Sequence, residues 1–304
     1  MPGVPKPKPR PTSSPERGER GSASEEGERV SPVAGGRPVE PVGPLSAADV
    51  AELSRAKRLL ESESLAVRLT LLLGQPIEKG LALLPAGATE QIQKVTHAAL
   101  ERALRVALST LARESEGGSA DRLHKLASAA SGAVGGVFGL GGLAVELPVT
   151  TVIMLRSIGD IARREGHDIR APAIQMACLE VFALGGPGPR DDAAETGYYA
   201  VRAALAKALS DAAQHVAERG LSRGAAPVLV RLVEKIAARF GVVVEEKVAL
   251  GAVPVIGALS GSLINTVFME HFQNKASGHF VVRRLEGKHG RRLVQEAYEG
   301  IPGT

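Results

Sequence analysis

An all-α architecture is the fold class this sequence of 304 residues predicts: a multi-helix bundle of glycine-rich, close-packed helices behind a disordered Pro-rich N-terminal tail. Three observations carry that prediction. Beyond residue 44 the apolar residues recur at three- and four-residue spacing, the repeat of helices that bury one face. Aromatic residues make up only 3% of the chain and Trp is absent, whereas glycine contributes 35 residues, so the helices meet over small side chains. No alternation of apolar and polar residues is long enough for a sheet; the nearest stretch, Val242-Val243-Val244, is too short.

Residues 1–44 hold ten of the nineteen prolines, with many Gly, Ser and Glu residues and no periodic apolar pattern to offset the entropy of ordering a backbone. They read as a disordered tail, and 45–304 as one helical domain. The tail carries seven Lys/Arg against six Glu, a net +1, so +3 of the total +4 belongs to the helical part. Met1–Arg20 lacks the apolar core of a secretory signal, and the protein is expected to start in the cytoplasm. The single cysteine, Cys178, lies in the apolar run 174–184 and reads as a small buried hydrophobe in a reducing compartment.

In chain order, Ser46 with Asp49 marks a helix start, a cap followed by a carboxylate near the helix N-terminus, and the apolar period runs on to Leu73. Gly74 and Pro76 end that helix, and a short piece follows from Ile77 to Leu84 before Pro85 and Gly87. Thr89–Arg113 is amphipathic, with Ile92, Val95, Ala99, Leu100, Ala103, Leu104, Ala107, Leu108 and Leu111 on one face. Glu116–Ser119 closes it. Ala171–Leu184 reads as a buried helix ended by the Gly-Pro run after it. Asp192 and Glu195 resemble a capping box for a helix reaching about Arg219, and Pro227 opens another towards Leu250.

Two segments are almost free of charge. Between Lys125 and Arg156 the one charged residue is Glu146, and Gly132 with Gly136, and Gly135 with Gly139, fall four apart, the spacing that lets another helix approach closely. The segment has the length of a membrane span of about 20 residues. Gly139 and Gly141-Gly142 can break the run, with Glu146 and Pro148 inside its second part, so a hairpin of two short helices, buried in protein or dipping into one leaflet, stands beside a single straight crossing. Val248–Met269 is the second segment. Pro254 can open its main helix, and Gly257, Gly261 and Asn265 align four apart, ending a small-residue face in a polar group that needs a hydrogen-bonding partner.

The polar residues worth weighing for chemistry are Glu146, Asn265, His271, Gln273 and His279. His271 and His279 fall near one helix face and are weak metal candidates, with Glu270 or Glu146 as oxygen donors; the spacing is not that of helical zinc pairs, and hydrogen-bonded histidines are the plainer reading. No G-x-S-x-G elbow is present, and the glycines 132–142 lack the G-K-[ST] ending of a phosphate loop, so neither a serine hydrolase motif nor a nucleotide cofactor is expected. The cationic run Arg283, Arg284, Lys288, Arg291 and Arg292 follows an uncharged segment. Anionic lipid headgroups fit it best, at about 1 kcal/mol for each such residue at a cytoplasmic surface. No nucleic-acid module accompanies it, and the scarcity of aromatics argues against base stacking.

The block from Gly257 to Gly290, with its G-x-x-x-G-x-x-x-N run, His271-Phe272-Gln273, Gly278-His279-Phe280 and Arg283-Arg284-Leu285-Glu286, resembles the EcsC protein family of bacteria. Glu146-Leu147-Pro148, Met154–Ile158 and Cys178–Gly185 resemble other blocks of that family, so the likeness spans roughly residues 46–300. His289 departs from it, standing where an aromatic residue is expected. The family is named after the third protein of an operon whose other members form an ATP-binding-cassette transporter. The resemblance implies membrane association and a link to transport or envelope stress, with no agreed enzymatic activity.

These readings converge on a non-enzymatic helical protein at the cytoplasmic side of the cell membrane, peripheral or re-entrant. Its expected partners are anionic lipids and, through the resemblance, an ABC transporter or other membrane protein. Two alternatives stand beside it: a membrane-linked hydrolase using Glu146 and His279, and a soluble helical partner of a transporter whose glycine-rich segments form its core.

Overall fold

The computed structural model describes residues 44–74, 77–111, 139–186, 197–220, 226–252 and 254–302, with the backbone alone for 110–111, 139–141 and 254–262. The tail, the glycines from Gly132 to Gly136, Asp192 and Glu195 lie outside the described residues, as does any helix hairpin built on residues before Gly139. Among the described residues there are helices and no strands.

The first helix, α1 (Ala47–Leu60), starts as expected: the Asp49 backbone N–H donates to Ser46 Oγ at 3.1 Å, and the Asp49 carboxylate accepts from the Ser46 backbone in return. It does not run on to Leu73. The chain breaks at Glu61–Ser64, and α2 (Leu65–Leu73) starts from a fresh cap, Ser64, ending at Gly74 with φ 62°. The apolar period continues across the break, which is why the sequence reads as one helix. A buried cation secures it. Lys275 donates to the carbonyls of Leu60 at 2.6 Å and Ser62 at 3.4 Å, satisfying α1's orphaned C-terminal groups.

Then come α3 (Ile77–Ala82) and α4 (Ala88–Val106), which widens into a π turn over Ala107–Leu111. Next is α5 (Gly139–Arg164), where the structure corrects the expectation of a break. Gly141, Gly142 and Pro148 all lie inside one continuous 26-residue helix. Proline denies the backbone one hydrogen bond there, yet a helix packed on its neighbours tolerates the loss. Pro172 and Pro227 occupy the first turns of α6 (Pro172–Leu184) and α8 (Pro227–Gly251), with α7 (Tyr198–Arg219) between them.

The longest element is α9 (Pro254–His289, 36 residues), and α10 (Arg291–Gly300) folds back from it through Gly290 at φ 87°. Helices α1, α2, α5, α6, α8 and α10 all pack on α9. Its middle carries the core: Phe268 and Phe272 stack with Phe182 of α6 and Phe240 of α8 at centroid distances of 5.0–6.2 Å. Each such fully buried ring contributes about 1.5–3 kcal/mol, and each ring pair roughly another 0.5–1.5 kcal/mol.

Close helix approach, expected at Gly257 and Gly261, is visible at other glycines. A Cβ on Gly278 of α9 would sit 2.7 Å from Leu60 Cγ and 2.8 Å from the Ala56 carbonyl oxygen of α1. Gly80 of α3 lies directly against the Ala249 backbone of α8, and Gly241 against Gln93. Two more cations cap helix ends from a distance: Lys57 donates to the Tyr298 and Ile301 carbonyls at 3.0 and 2.7 Å, and Arg239 donates to Ala183 O at 2.8 Å.

Candidate functional site

The C-terminal half of α9 gathers most of the residues singled out in the sequence, and it gives each a neighbour from another helix. Gln273 donates to Ser157 Oγ at 2.8 Å, and His271 Nε2–H donates to the Gly185 carbonyl at 2.8 Å. Asn265 is half-buried. Glu286 accepts two hydrogen bonds from Arg202 of α7, at 2.7 and 2.8 Å. His279 is wholly buried, its Nδ1 sharing a 2.9 Å hydrogen bond with the Tyr198 hydroxyl.

Two pairings from the sequence are not made. Glu146 accepts a 2.6 Å hydrogen bond from Lys247, whose ammonium lies 4.9 Å from the Phe268 ring. His279 stands eleven residues beyond Phe268 on the same helix, roughly 16 Å away along the helix axis. Glu146 and His279 therefore do not form one site. Nor do the two histidines converge: His271 and His279 point to different partners, and among the described residues no three His, Cys, Asp or Glu side chains gather as metal ligands.

The cationic run is also divided. Arg284 bonds Glu165 at 3.0 Å and Glu52 at 2.8 Å, and Lys288 bonds Asp49 at 3.0 Å. Arg291 and Arg292 are exposed on α10, with Arg292 bonded to Glu296 of the same helix. Two of the five cations, Arg284 and Lys288, therefore face carboxylates on α1 and just past the end of α5.

Around His279 lies a buried polar network that the sequence reading did not assemble. Glu180 of α6 is 1% exposed, with Oε2 lying 3.4 Å from His279 Nε2 and 3.9 Å from the nearer Arg283 nitrogen. Neither Glu180 Oε2 nor His279 Nε2 makes a hydrogen bond. Burial holds the Glu180 carboxyl above the usual carboxylate range, against the opposing pull of Arg283 and Arg202. Burial likewise drives His279 well below an ordinary imidazole, helped by the same two arginines. Both groups are thus pushed to their neutral forms.

All three tyrosines close the far side, with Tyr198, Tyr199 and Tyr298 at ring separations of 5.0–5.6 Å. The clue to this network was Glu180 itself, one charge in a helix apolar on every side, since charged residues are almost never fully buried without a partner. Tyr198, Arg202 and His167 carry no such signal. Above the network opens a cleft of about 370 Å³, walled by the α5–α6 turn, α7 and α9.

The opposite end of α9 has a different surface. Arg68 of α2 reaches Glu270 at 3.5 Å, Gly80 of α3 meets Ala249 near the end of α8, and Lys247 holds Glu146 near the start of α5. The Gly80 and Glu146 contacts bring α3 and the early part of α5 to the end of α8, and the Arg68 contact sets α2 beside the middle of α9. Leu71 (71% exposed), Leu72, Leu81, Leu83, Val145 (64%) and Leu263 are open to solvent on or next to these helices. Among the described residues one helix, Gly142–Arg164, is long and apolar enough to cross a membrane, with a mean hydropathy of 1.3 over its most apolar window, half of which is buried inside the protein.

No curated protein and no solved structure matches the chain. The model of the EcsC protein family matches residues 50–285, which takes in α9 through Leu285, the Glu146 region and the helix bearing Glu180. The chain belongs to the EcsC protein family.

Proposed function

We propose that this protein is a non-enzymatic, peripheral membrane protein on the cytoplasmic side, held to the bilayer by the apolar end of its bundle and serving a transport or envelope process. The observation that carries the reading is the set of open leucines on and just after α2 and α3, Leu71, Leu72, Leu81 and Leu83, with Val145 of α5 and Leu263 of α9 also exposed. Large apolar side chains left open in such number mark a membrane or protein contact where they form one patch. Burying each leucine is favourable by roughly 1–2 kcal/mol. Because Arg284 and Lys288 face carboxylates and Arg283 lines a cleft of its own, the electrostatic share of binding falls to Arg291 and Arg292. The half-buried state of α5 favours lying on the bilayer over crossing it.

Flotation with protein-free vesicles, neutral and 30% anionic, tests this directly. The wild type is expected to float with both, more with the anionic vesicles, and to lose only a minor part of its binding at high salt. Leu71→Ser with Leu72→Ser, or Leu81→Ser with Leu83→Ser, should release it without lowering its thermal stability. Failure to float with either vesicle overturns the proposal and favours the soluble transporter partner. Single-cysteine labelling in a Cys178→Ala background adds sidedness: labelling from the periplasm at Gly117 and from the cytoplasm at Gly166 would establish a crossing instead.

A further inference from the structure

The cleft lined by Arg202, Arg283 and Arg284 offers room and charge for a ligand, and we propose that it binds a small soluble organic carboxylate, anchored by Arg283. Its volume of about 370 Å³ falls in the range of small-molecule pockets. Three arginines line it, and two are committed: Arg202 to Glu286 through two hydrogen bonds, and Arg284 to Glu165 and Glu52. Arg283 is not. Among the described residues its close charged neighbour is Glu180 at 3.9 Å, too long for a hydrogen bond, and its side chain is a quarter exposed. A guanidinium presents five donors in a planar fork that matches a carboxylate in two-point contact.

Beside Arg283, the buried Glu180 Oε2 and His279 Nε2 lie 3.4 Å apart and neither makes a hydrogen bond; neither lines the cleft, and Arg283, which lies against Glu180, links them to it. Burial raises the Glu180 pKa, against the opposing pull of Arg283 and Arg202, which weakens the hold of that carboxyl on the arginine.

Charge selects the ligand. Arg202 is matched by Glu286, and Arg284 by Glu165 and Glu52, so Arg283 is the lining cation left for a ligand, and its single charge is one that a carboxylate balances and a phosphate dianion overshoots. Ile174 on the wall gives a carbon skeleton an apolar contact. Place excludes a bilayer headgroup as the source: Arg283 lies twenty residues along α9 from Leu263, roughly 30 Å from the apolar end. The inference is therefore separate from membrane attachment.

Titration of the full-length protein with sodium benzoate, acetate and phosphate, read by calorimetry, tests it. Benzoate should bind once per chain and more tightly than acetate, with phosphate weakest. Arg283→Gln should weaken benzoate at least about tenfold, the loss of charge-assisted hydrogen bonds, and Arg283→Lys should recover part of it. Should Arg283→Gln fold poorly, NMR of the wild type decides: benzoate should shift the Arg283 Nε–H and Ile174 methyl signals before others. No benzoate binding, equal binding by a folded Arg283→Gln protein, tighter binding of phosphate than of benzoate, or shifts centred elsewhere would each overturn the assignment.

Discussion

Gly278 offers a direct test of how closely α1 and α9 pack. Replacing it with alanine adds a methyl group 2.7 Å from Leu60 Cγ and 2.8 Å from the Ala56 carbonyl oxygen. The second contact is with helix backbone, which cannot rotate away. Leu60 and Ala56 are themselves buried, so the strain spreads into the packed contact instead of being relieved at a surface. Overpacking of this kind costs about 1–3 kcal/mol. Against it stands the gain of about 1 kcal/mol from exchanging glycine for alanine inside a helix. Gly287, on the same helix, has nothing within 4 Å of the corresponding position. Gly287→Ala therefore takes the propensity gain without the clash, and in the difference between the two variants the propensity contribution largely cancels. Urea unfolding should place Gly278→Ala below Gly287→Ala by about 1–3 kcal/mol, with unchanged m-values. Equal stabilities for the two variants would refute the close approach of α1 to α9.

The remaining predictions concern buried charge, acid, the tail and the thiol. Glu286→Gln leaves Arg202 buried without its counter-ion and should destabilise the domain by about 3–5 kcal/mol, measured by the same unfolding; a loss under about 1 kcal/mol would mean the pair is open to water. His271 is held neutral by burial, its pKa lowered to about 4. Its contribution is complete above the unfolded value near 6.5 and is lost as pH falls towards 4, on the order of 3 kcal/mol. Thermal melts should show that slope in the wild type and a shallower one in His271→Gln, and identical slopes would remove His271 as the cause. Deleting residues 1–44, which have no apolar surface to bury, should leave the melting temperature unchanged; a drop of several degrees would show that the tail packs. Cys178 is buried, with its thiol pushed up to about 12, and should react with a thiol reagent only as the protein unfolds, so prompt labelling of the native form contradicts the packing of α6.

The sequence by itself determined the helical class and most of the helix starts, because these are set by neighbours in the chain. Ser46 caps within three residues, and Pro172, Pro227 and Pro254 each begin a helix where a missing N–H does no harm. The polar composition of α9 was equally legible, down to the residues that ended up in contact with other helices. Tertiary structure alone decided what they touch. The break between α1 and α2 is secured by Lys275, more than two hundred residues away, and α10 ends on Lys57 at a similar separation. Pro148 and the paired glycines before it carry local signals for a break, yet α5 runs through them because its neighbours pack along it. Glu146 went to Lys247 and not to His279, while Glu180, Tyr198 and Arg202 came together from three helices. Such partnerships depend on which faces meet once the chain closes on itself, and a side chain's own neighbours in sequence hold no record of that.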